Sequence, residues 1–176
     1  IKRGVSKKEI KSDLSETNLP SFTIDSVIDS IDKDESVNKF WSKSDKGSIS
    51  IVHYMFRDFL EDNGFYKYMP VGNKSFIFVR VTNNLIDHTS EDEIKDFVLN
   101  YLQNVDDLSV YNFFADKTRF FKEDFLSLLD TVDVHFVEDT KDFSFIYFKN
   151  CAIKVCKDEI IKVDYVDLNG FVWHDQ

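Results

Sequence analysis

The sequence contains few residues that bend, break or cross-link a chain. Its 176 residues include 5 glycines, 2 prolines and 2 cysteines, which is typical of a folded domain and not of a disordered one. Cys151 and Cys156 share one stretch that is predicted to be a strand, and an odd separation places their side chains on opposite faces. A disulfide between them is therefore not expected. With the lysine-rich composition, this predicts a reducing, cytoplasmic compartment.

Long apolar runs are also missing. No run approaches the roughly 18 residues of a membrane span, and the start lacks the apolar centre of a signal peptide. We therefore expect no membrane partner. Because the chain begins with Ile1 and not with Met, we expect it to be a piece of a longer protein.

Positive charge is scarce and unevenly placed. The chain has 22 Lys and Arg against 32 Asp and Glu, a net charge of −10, which argues against a broad surface for phosphates. Residues 1–11 nevertheless carry +4, which leaves −14 for the others. This basic arm is either a nucleic-acid tail or a solvated linker. Its charged residues are Lys2, Arg3, Lys7, Lys8, Glu9 and Lys11.

Apolar and aromatic residues are present in the amounts that a core needs. Hydrophobic residues make up 43% of the chain and aromatic ones 15%, with 18 Phe and 7 Tyr. Such side chains serve packed cores, stacking platforms and protein interfaces, and core packing is the simplest role. Residues 1–20 are a polar, partly basic lead-in or linker, and residues 21–176 are predicted to form one domain.

Helical spacing predicts a helical layer. One helix is expected after Thr23, and its apolar residues are Ile24, Val27, Ile28 and Ile31. After a turn region at 42–47, a second helix covers about 51–60 and ends at Asn63-Gly64. Ser90 and Glu93 form a capping box for a third helix that reaches about residue 105. Two shorter helices are predicted around 108–116 and 122–130, the latter with Phe125, Leu128 and Leu129 buried.

Alternating and apolar runs predict the strands. Residues 65–68 and 76–81 are predicted to form a hairpin. The last forty residues contain strands at 143–149, 152–156, 159–165 and 171–173, which predicts a terminal antiparallel β-meander covered by helices. Because helices and strands do not alternate regularly, the class is α+β.

Chemical motifs are few. The histidines are scattered, the glycines are isolated, and no serine or cysteine has the sequence context of a nucleophile. Asp133 and His135 are two residues apart on a predicted strand, so their side chains share one face and could hold a divalent cation, as in a nuclease or primase fragment. A single pair of this kind is weak evidence for a metal site. The acidic stretch 138–142 is most simply a solvated turn. We expect no cofactor and no catalysis in this chain.

Four stretches together carry a family resemblance. They are YMFRDFLEDNGFYKY at 54–68 followed by FIFVRV at 76–81, EIKDFVLNYL at 93–102, FIYFKNCAIKV at 145–155, and YVDLNGFVW at 165–173. They resemble the region before the ATPase core in primase-helicases of phages and bacterial mobile elements, in the poxvirus-type branch of superfamily three helicases. Cys151 replaces the glycine that is usual after Asn150 in that family.

The resemblance implies an accessory domain between a priming module and a hexameric ATPase, which helps assemble the ring or guides DNA. ATP and Mg²⁺ would then belong to the ATPase domain of the parent protein. Its partners would be single-stranded or forked DNA, the rest of the primase-helicase chain and further copies of itself, in the cytoplasm of a bacterial host. The alternative is a stand-alone protein–protein interaction domain that uses exposed aromatic surface.

If DNA is bound, the basic arm and the predicted hairpin are the expected contacts. Tyr66 or Tyr68 would supply a stacking surface. The hairpin cations could also be ordinary charges of an edge strand. The complete set of predicted DNA contacts is Lys2, Arg3, Lys7, Lys8, Lys67, Lys74, Arg80, Tyr66 and Tyr68.

Overall fold

The structure is a computed structural model that describes residues 39–175. The basic arm, the lead-in and the helix predicted after Thr23 lie outside the described residues. Helices and sheets are both present in the described part, and the α+β class is confirmed. No helix in residues 39–175 is long and apolar enough to cross a membrane.

Four α-helices and two 3₁₀ helices occur within the described residues. The α-helices are α1 (His53–Asp62), α2 (Glu91–Leu102), α3 (Leu108–Asp116) and α4 (Glu123–Leu126), and the 3₁₀ helices cover Thr118–Phe121 and Tyr165–Asp167. The strands are β1 (Trp41–Lys43), β2 (Ile49–Ile51), β3 (Phe65–Tyr68), β4 (Ile77–Thr82), β5 (Leu85–His88), β6 (Phe143–Phe148), β7 (Cys151–Cys156), β8 (Ile160–Val163) and β9 (Val172–Trp173).

The central element is a four-stranded sheet in the order β3-β4-β5-β9. Strands β3 and β4 form the predicted antiparallel hairpin, with Phe65 opposite Arg80. One face of the sheet packs through Phe65 and Phe78 against the helices, in a cluster that also includes residues of α1, α2 and α3. The other face packs through Val79 and Ile86 against the extended segment 131–137, in a cluster that also includes Trp173 of β9. The two faces of the sheet therefore carry separate apolar clusters, and Leu85 and Val172 of the same sheet belong to a third cluster, shared with the meander.

The helical layer confirms some predicted boundaries and corrects others. The capping box of Ser90 and Glu93 begins α2 as predicted, with both reciprocal hydrogen bonds formed. The helix predicted at 122–130 is shorter, because a 3₁₀ helix precedes it and α4 ends at Leu126. Within the predicted range 122–130, Leu126 and Leu129 are buried, whereas Phe125 and Leu128 are only half-buried.

Two elements of the first half were not predicted. The expected turn region at 42–47 belongs to a short hairpin, in which β1 pairs with β2 and Trp41 lies opposite Ile51. Consequently α1 begins at His53, after β2 has ended. Strand β5 was also missed, since Asn83 and Asn84 make a tight turn with positive φ of 51° and 64°. Such a turn joins antiparallel strands directly.

The C-terminal meander has three strands in the order β6-β7-β8. The predicted fourth strand was wrongly placed, because β9 leaves the meander and pairs in parallel with β5, where Val172 is buried opposite Leu85. The expected helical cover was also wrong: the meander packs on Tyr165 and Leu168, outside the cluster of the α-helices. Cys151 is the first residue of β7 opposite Phe148, so the turn consists of Lys149 and Asn150.

Candidate functional site: a basic cleft on the helical side

Arg80, one of the predicted DNA contacts, faces the helical layer. Its guanidinium lies 4.9 Å from the ring centre of Phe65 and 4.8 Å from that of Phe97. Its Nε donates a 3.2 Å hydrogen bond to the carbonyl oxygen of Asn63. Arg80 is therefore sandwiched between aromatic rings of the sheet and of α2, where it links the two layers.

Lys67 lies on the same face of the sheet as Arg80 and is also engaged. Its Nζ donates a 2.6 Å hydrogen bond to the carbonyl oxygen of Ser127, which follows α4. The same ammonium lies 5.4 Å from the ring centre of Phe76. This half-buried lysine satisfies a carbonyl at the end of a helix, so its ammonium is already bound by the protein.

Tyr66 and Tyr68 lie on the opposite face of the sheet from the two cations. Tyr68 is only 9% exposed. Its ring makes edge contacts with the rings of Phe136 and Trp173, whose centres lie 6.1 and 5.8 Å from its own. Stacking on a base would require this ring to leave the core. Tyr66 is half-buried. The pKa of Tyr66 is raised mainly by burial and further by the negative charges of nearby Glu61, Asp62 and Asp130.

Lys74 is the exposed cation of the hairpin. It follows the loop in which Val71 is 99% exposed. The structure therefore spreads the predicted hairpin contacts over three places: the helix-facing side of the sheet, the opposite side, and the loop tip. It does not bring them together as one surface. The predicted arm contacts Lys2, Arg3, Lys7 and Lys8 lie outside the described residues.

Asp133 and His135, the predicted metal pair, are exposed at alternating positions of the segment 131–137. This segment forms single bridges through Thr131 and Phe136 and is not a regular strand. Across residues 39–175 no three His, Cys, Asp or Glu side chains come together as a group that could hold a metal ion. In the acidic stretch, Asp139 accepts a 2.8 Å hydrogen bond from the backbone of Phe145, so this stretch is the turn before β6.

An open cleft on the helical side carries cations that the sequence analysis did not select. Its volume is ≈ 890 Å³, and it lies between β2, the start of α1, the end of α3 and α4. We call it the basic cleft. Its lining residues are Ile49, Ser50, Ile51, His53, Phe113, Lys117, Arg119, Phe120, Lys122, Asp124 and Phe125.

Two buried aromatic residues explain why the cations project into the basic cleft. Helix α3 ends at Asp116, and after Lys117 the chain continues directly into the 3₁₀ helix, whose Phe120 and Phe121 are buried in the main core. A 3₁₀ helix has about three residues per turn, so anchoring these two rings leaves the residues around them outside. Lys117 and Arg119 are accordingly exposed.

The cations of the basic cleft differ in how far they are neutralised. Lys122 pairs with Glu91 at 2.9 Å, and this contact raises the pKa of Lys122 and lowers that of Glu91. Arg119 lies 5.0 Å from the ring centre of Phe120. Among residues 39–175, neither Lys117 nor Arg119 forms a salt bridge. Within the described part of the chain, these two positive charges therefore have no ion-pair partner.

Aromatic surface lies among these charges. The ring of His53, the first residue of α1, lies 5.0 Å from the ring of Phe125 at an interplanar angle of 54°. Phe113 is also half-buried at the cleft wall. The signal in the sequence is KTRFFK at 117–122, where two aromatic residues stand between cations. It was missed because the segment falls between two predicted helices.

A second surface is apolar and lies on the meander. The β6-β7-β8 register places Ile146, Phe148 and Ile160 on the face that points away from Tyr165 and Leu168. Their exposed fractions are 52%, 53% and 73%. Exposed apolar groups that cluster in this way are typical of contact surfaces.

Comparisons of the chain with protein-family models, with curated proteins and with solved structures gave no match. The resemblance to primase-helicases therefore remains a prediction from the four sequence stretches.

Proposed function

We propose that this chain is a non-catalytic accessory domain of a DNA replication primase-helicase, which links priming and ATPase modules and guides DNA or aids ring assembly. The observation that carries the proposal is the basic cleft. Residues 39–175 contain 16 Lys and Arg against 24 acidic residues, yet Lys117 and Arg119 stand together at one aromatic-lined cleft. A local positive charge can attract a polyanion to one site, while the acidic remainder of the surface repels it.

The placement of the resembling stretches supports the same proposal. The stretch 54–68 with 76–81 forms most of α1, β3 and β4, and the stretch 93–102 forms most of α2. The stretch 165–173 leads into β9, which pairs with β5 of the same sheet. Three of the four stretches thus contribute to one packed unit, as expected for a domain that keeps its fold between two larger modules.

Binding of fluorescent single-stranded and forked DNA across a salt series tests this function. We expect weak binding that falls as salt rises, because phosphate contacts release counterions. Deleting residues 1–11 separates the contribution of the arm from that of the body, and light scattering reports ring assembly. Absence of DNA binding at low salt together with a monomeric mass would contradict the proposal.

The second candidate is a stand-alone protein–protein interaction domain. The apolar outer face of the meander, with Ile146, Phe148 and Ile160, favours it. β8 is also an edge strand of its sheet in the described part, and edge strands can pair with another chain. This candidate predicts association that is insensitive to salt and is weakened by Ile160→Lys, with no effect of that substitution on DNA binding.

A further inference from the structure

We infer that the basic cleft binds single-stranded nucleic acid, with phosphates on Lys117 and Arg119 and a base against the rings of His53 and Phe125. This inference rests on the proposed function and deepens it, because it names the site and the form of the ligand. None of these four residues belongs to the DNA contacts predicted from the sequence.

The arrangement of the cations fits a phosphate backbone. Arg119 presents a planar guanidinium, which binds phosphate oxygens in pairs, and Lys117 adds a point charge two residues away. Both belong to a short segment that is fixed at its centre by buried Phe120 and Phe121. The charges are therefore held at one side of the cleft and do not have to be gathered when a ligand arrives.

The aromatic lining favours a single strand over a duplex. In a duplex the bases are stacked on each other, so only phosphates and groove edges are offered. A single strand also offers base faces, which stack on aromatic side chains. His53 is exposed and Phe125 half-buried beside the cations. The cleft volume of ≈ 890 Å³ lies within the usual range for sites of small ligands and matches a short stretch of strand.

The expected affinity is modest. Two phosphate contacts on a single strand give a slope of log K against log salt concentration of about −1.4, at roughly −0.7 for each contact. Asp124 lies on the same cleft and opposes binding, while Glu91 neutralises Lys122. A weak, salt-sensitive contact of this kind guides a strand and lets it move.

Fluorescence anisotropy of the full chain with a labelled oligothymidylate tests the inference. The double variant Lys117→Ala/Arg119→Ala removes the two available charges. Its matched control is Lys141→Ala/Lys157→Ala, which makes the same change in net charge at exposed positions beside Asp142, Asp158 and Glu159.

We expect the cleft double variant to weaken binding at least tenfold at low salt and to make the salt slope less negative by about 1.4. The control should change binding less than twofold. Asp124→Asn should tighten binding about two- to threefold by removing one opposing charge, an outcome that partial unfolding cannot produce.

Stacking is tested with Phe125→Leu and an abasic oligonucleotide of equal length. The substitution should weaken binding of the normal oligonucleotide about fivefold and leave binding of the abasic one nearly unchanged. Comparing the two ligands on one variant removes any effect of a lowered folded fraction.

Equal losses in the cleft and control variants, or poly-glutamate bound as tightly as oligothymidylate, would overturn the inference. If the parent chain binds DNA but only deletion of residues 1–11 abolishes binding, the cleft assignment fails while the proposed function stands. If the parent chain binds no DNA at low salt, DNA guidance fails as well.

Discussion

Arg80 and Arg119 are both arginines, but the first is enclosed by other parts of the protein and the second is exposed at the basic cleft. Arg80 lies between the rings of Phe65 and Phe97 and donates to a backbone carbonyl, whereas Arg119 lies beside a single ring at an open cleft. An aromatic residue lies within two positions of each in the sequence, Phe78 for Arg80 and Phe120 for Arg119. What separates them is whether a second layer of the protein covers the guanidinium. A cationic side chain is therefore a candidate for ligand binding only where no carbonyl, carboxylate or aromatic layer of the protein itself already covers it.

Asp107 offers a test at the residue scale. It caps α3 by accepting from Ser109, and it pairs with Lys43 of β1 at 2.8 Å. The hydrogen bond from Lys43, followed by that from Ser109, lowers the pKa of Asp107 to about 2. Because the folded-state pKa lies below the unfolded value of about 3.9, the stabilisation is complete above that value and is lost as pH falls toward 2.

Asp107→Asn should therefore lower the urea midpoint at pH 7, and the difference from the parent should shrink between pH 4 and pH 2. Urea unfolding at stepped pH, followed by circular dichroism, measures this. Asp106→Asn is the matched control, because Asp106 forms no salt bridge within the described residues. A midpoint difference that is independent of pH would contradict the assignment.

At the element scale, the junction of α1 and β3 depends on Gly64. Its φ is +86°, and its carbonyl accepts a 2.8 Å hydrogen bond from the backbone of Val81 in β4. A Cβ at this position would lie 2.2 Å from the carbonyl oxygen of Val81. The end of the helix at Asn63-Gly64 was predicted correctly from these two residues, whereas the close approach of Gly64 to β4 depends on a strand that follows later in the chain.

Gly64→Ala should lower the free energy of unfolding by about 3 kcal/mol, from the strained φ and the backbone clash together. Gly72→Ala is the matched control, because Gly72 has a similar φ of +84° with nothing within 4 Å of the added Cβ. It should cost only about 1 kcal/mol. Urea denaturation measures both values, and equal losses would show that the contact with Val81 does not matter.

Elements with strong local signals were predicted well, and elements defined by distant partners were not. The capping box fixed the start of α2, and the apolar run at 76–81 identified β4 within its hairpin. Strand β5 has only four residues and was not predicted, whereas β9, with two residues, was predicted as a strand but with the wrong partner. Such short segments become strands because a neighbouring strand pairs with them, and local sequence carries little information about that neighbour.

At the scale of the whole molecule, the two faces of the four-stranded sheet carry the cluster of the helical layer and the cluster that contains Val79 and Ile86. Trp41 packs against the cluster of the helical layer, and Trp173 against the cluster on the other face of the sheet. The chain contains no other tryptophan. Since β3 and β4 contribute residues to both clusters, the two halves should unfold together.

The single-tryptophan variants Trp41→Phe and Trp173→Phe test this expectation. In each variant, the fluorescence transition in urea should coincide with the transition measured by far-ultraviolet circular dichroism. Comparing two probes within one variant avoids the difference in stability between the variants. If the fluorescence of Trp173 changes well before the circular dichroism, the two clusters unfold separately and residues 21–176 do not behave as one domain.

The sequence by itself determined the α+β class, the capped helix α2, the hairpin of β3 and β4, and the strand pattern of β6 and β7. These features follow from hydrophobic period, capping and turn residues, which act over a few neighbouring positions. Only the tertiary structure decided that β9 joins the central sheet, that Lys67 and Arg80 donate to carbonyl oxygens of their own chain, and that Lys117 and Arg119 meet at a cleft. Whether a charge is buried or free depends on residues distant in sequence, and packing alone brings those residues together.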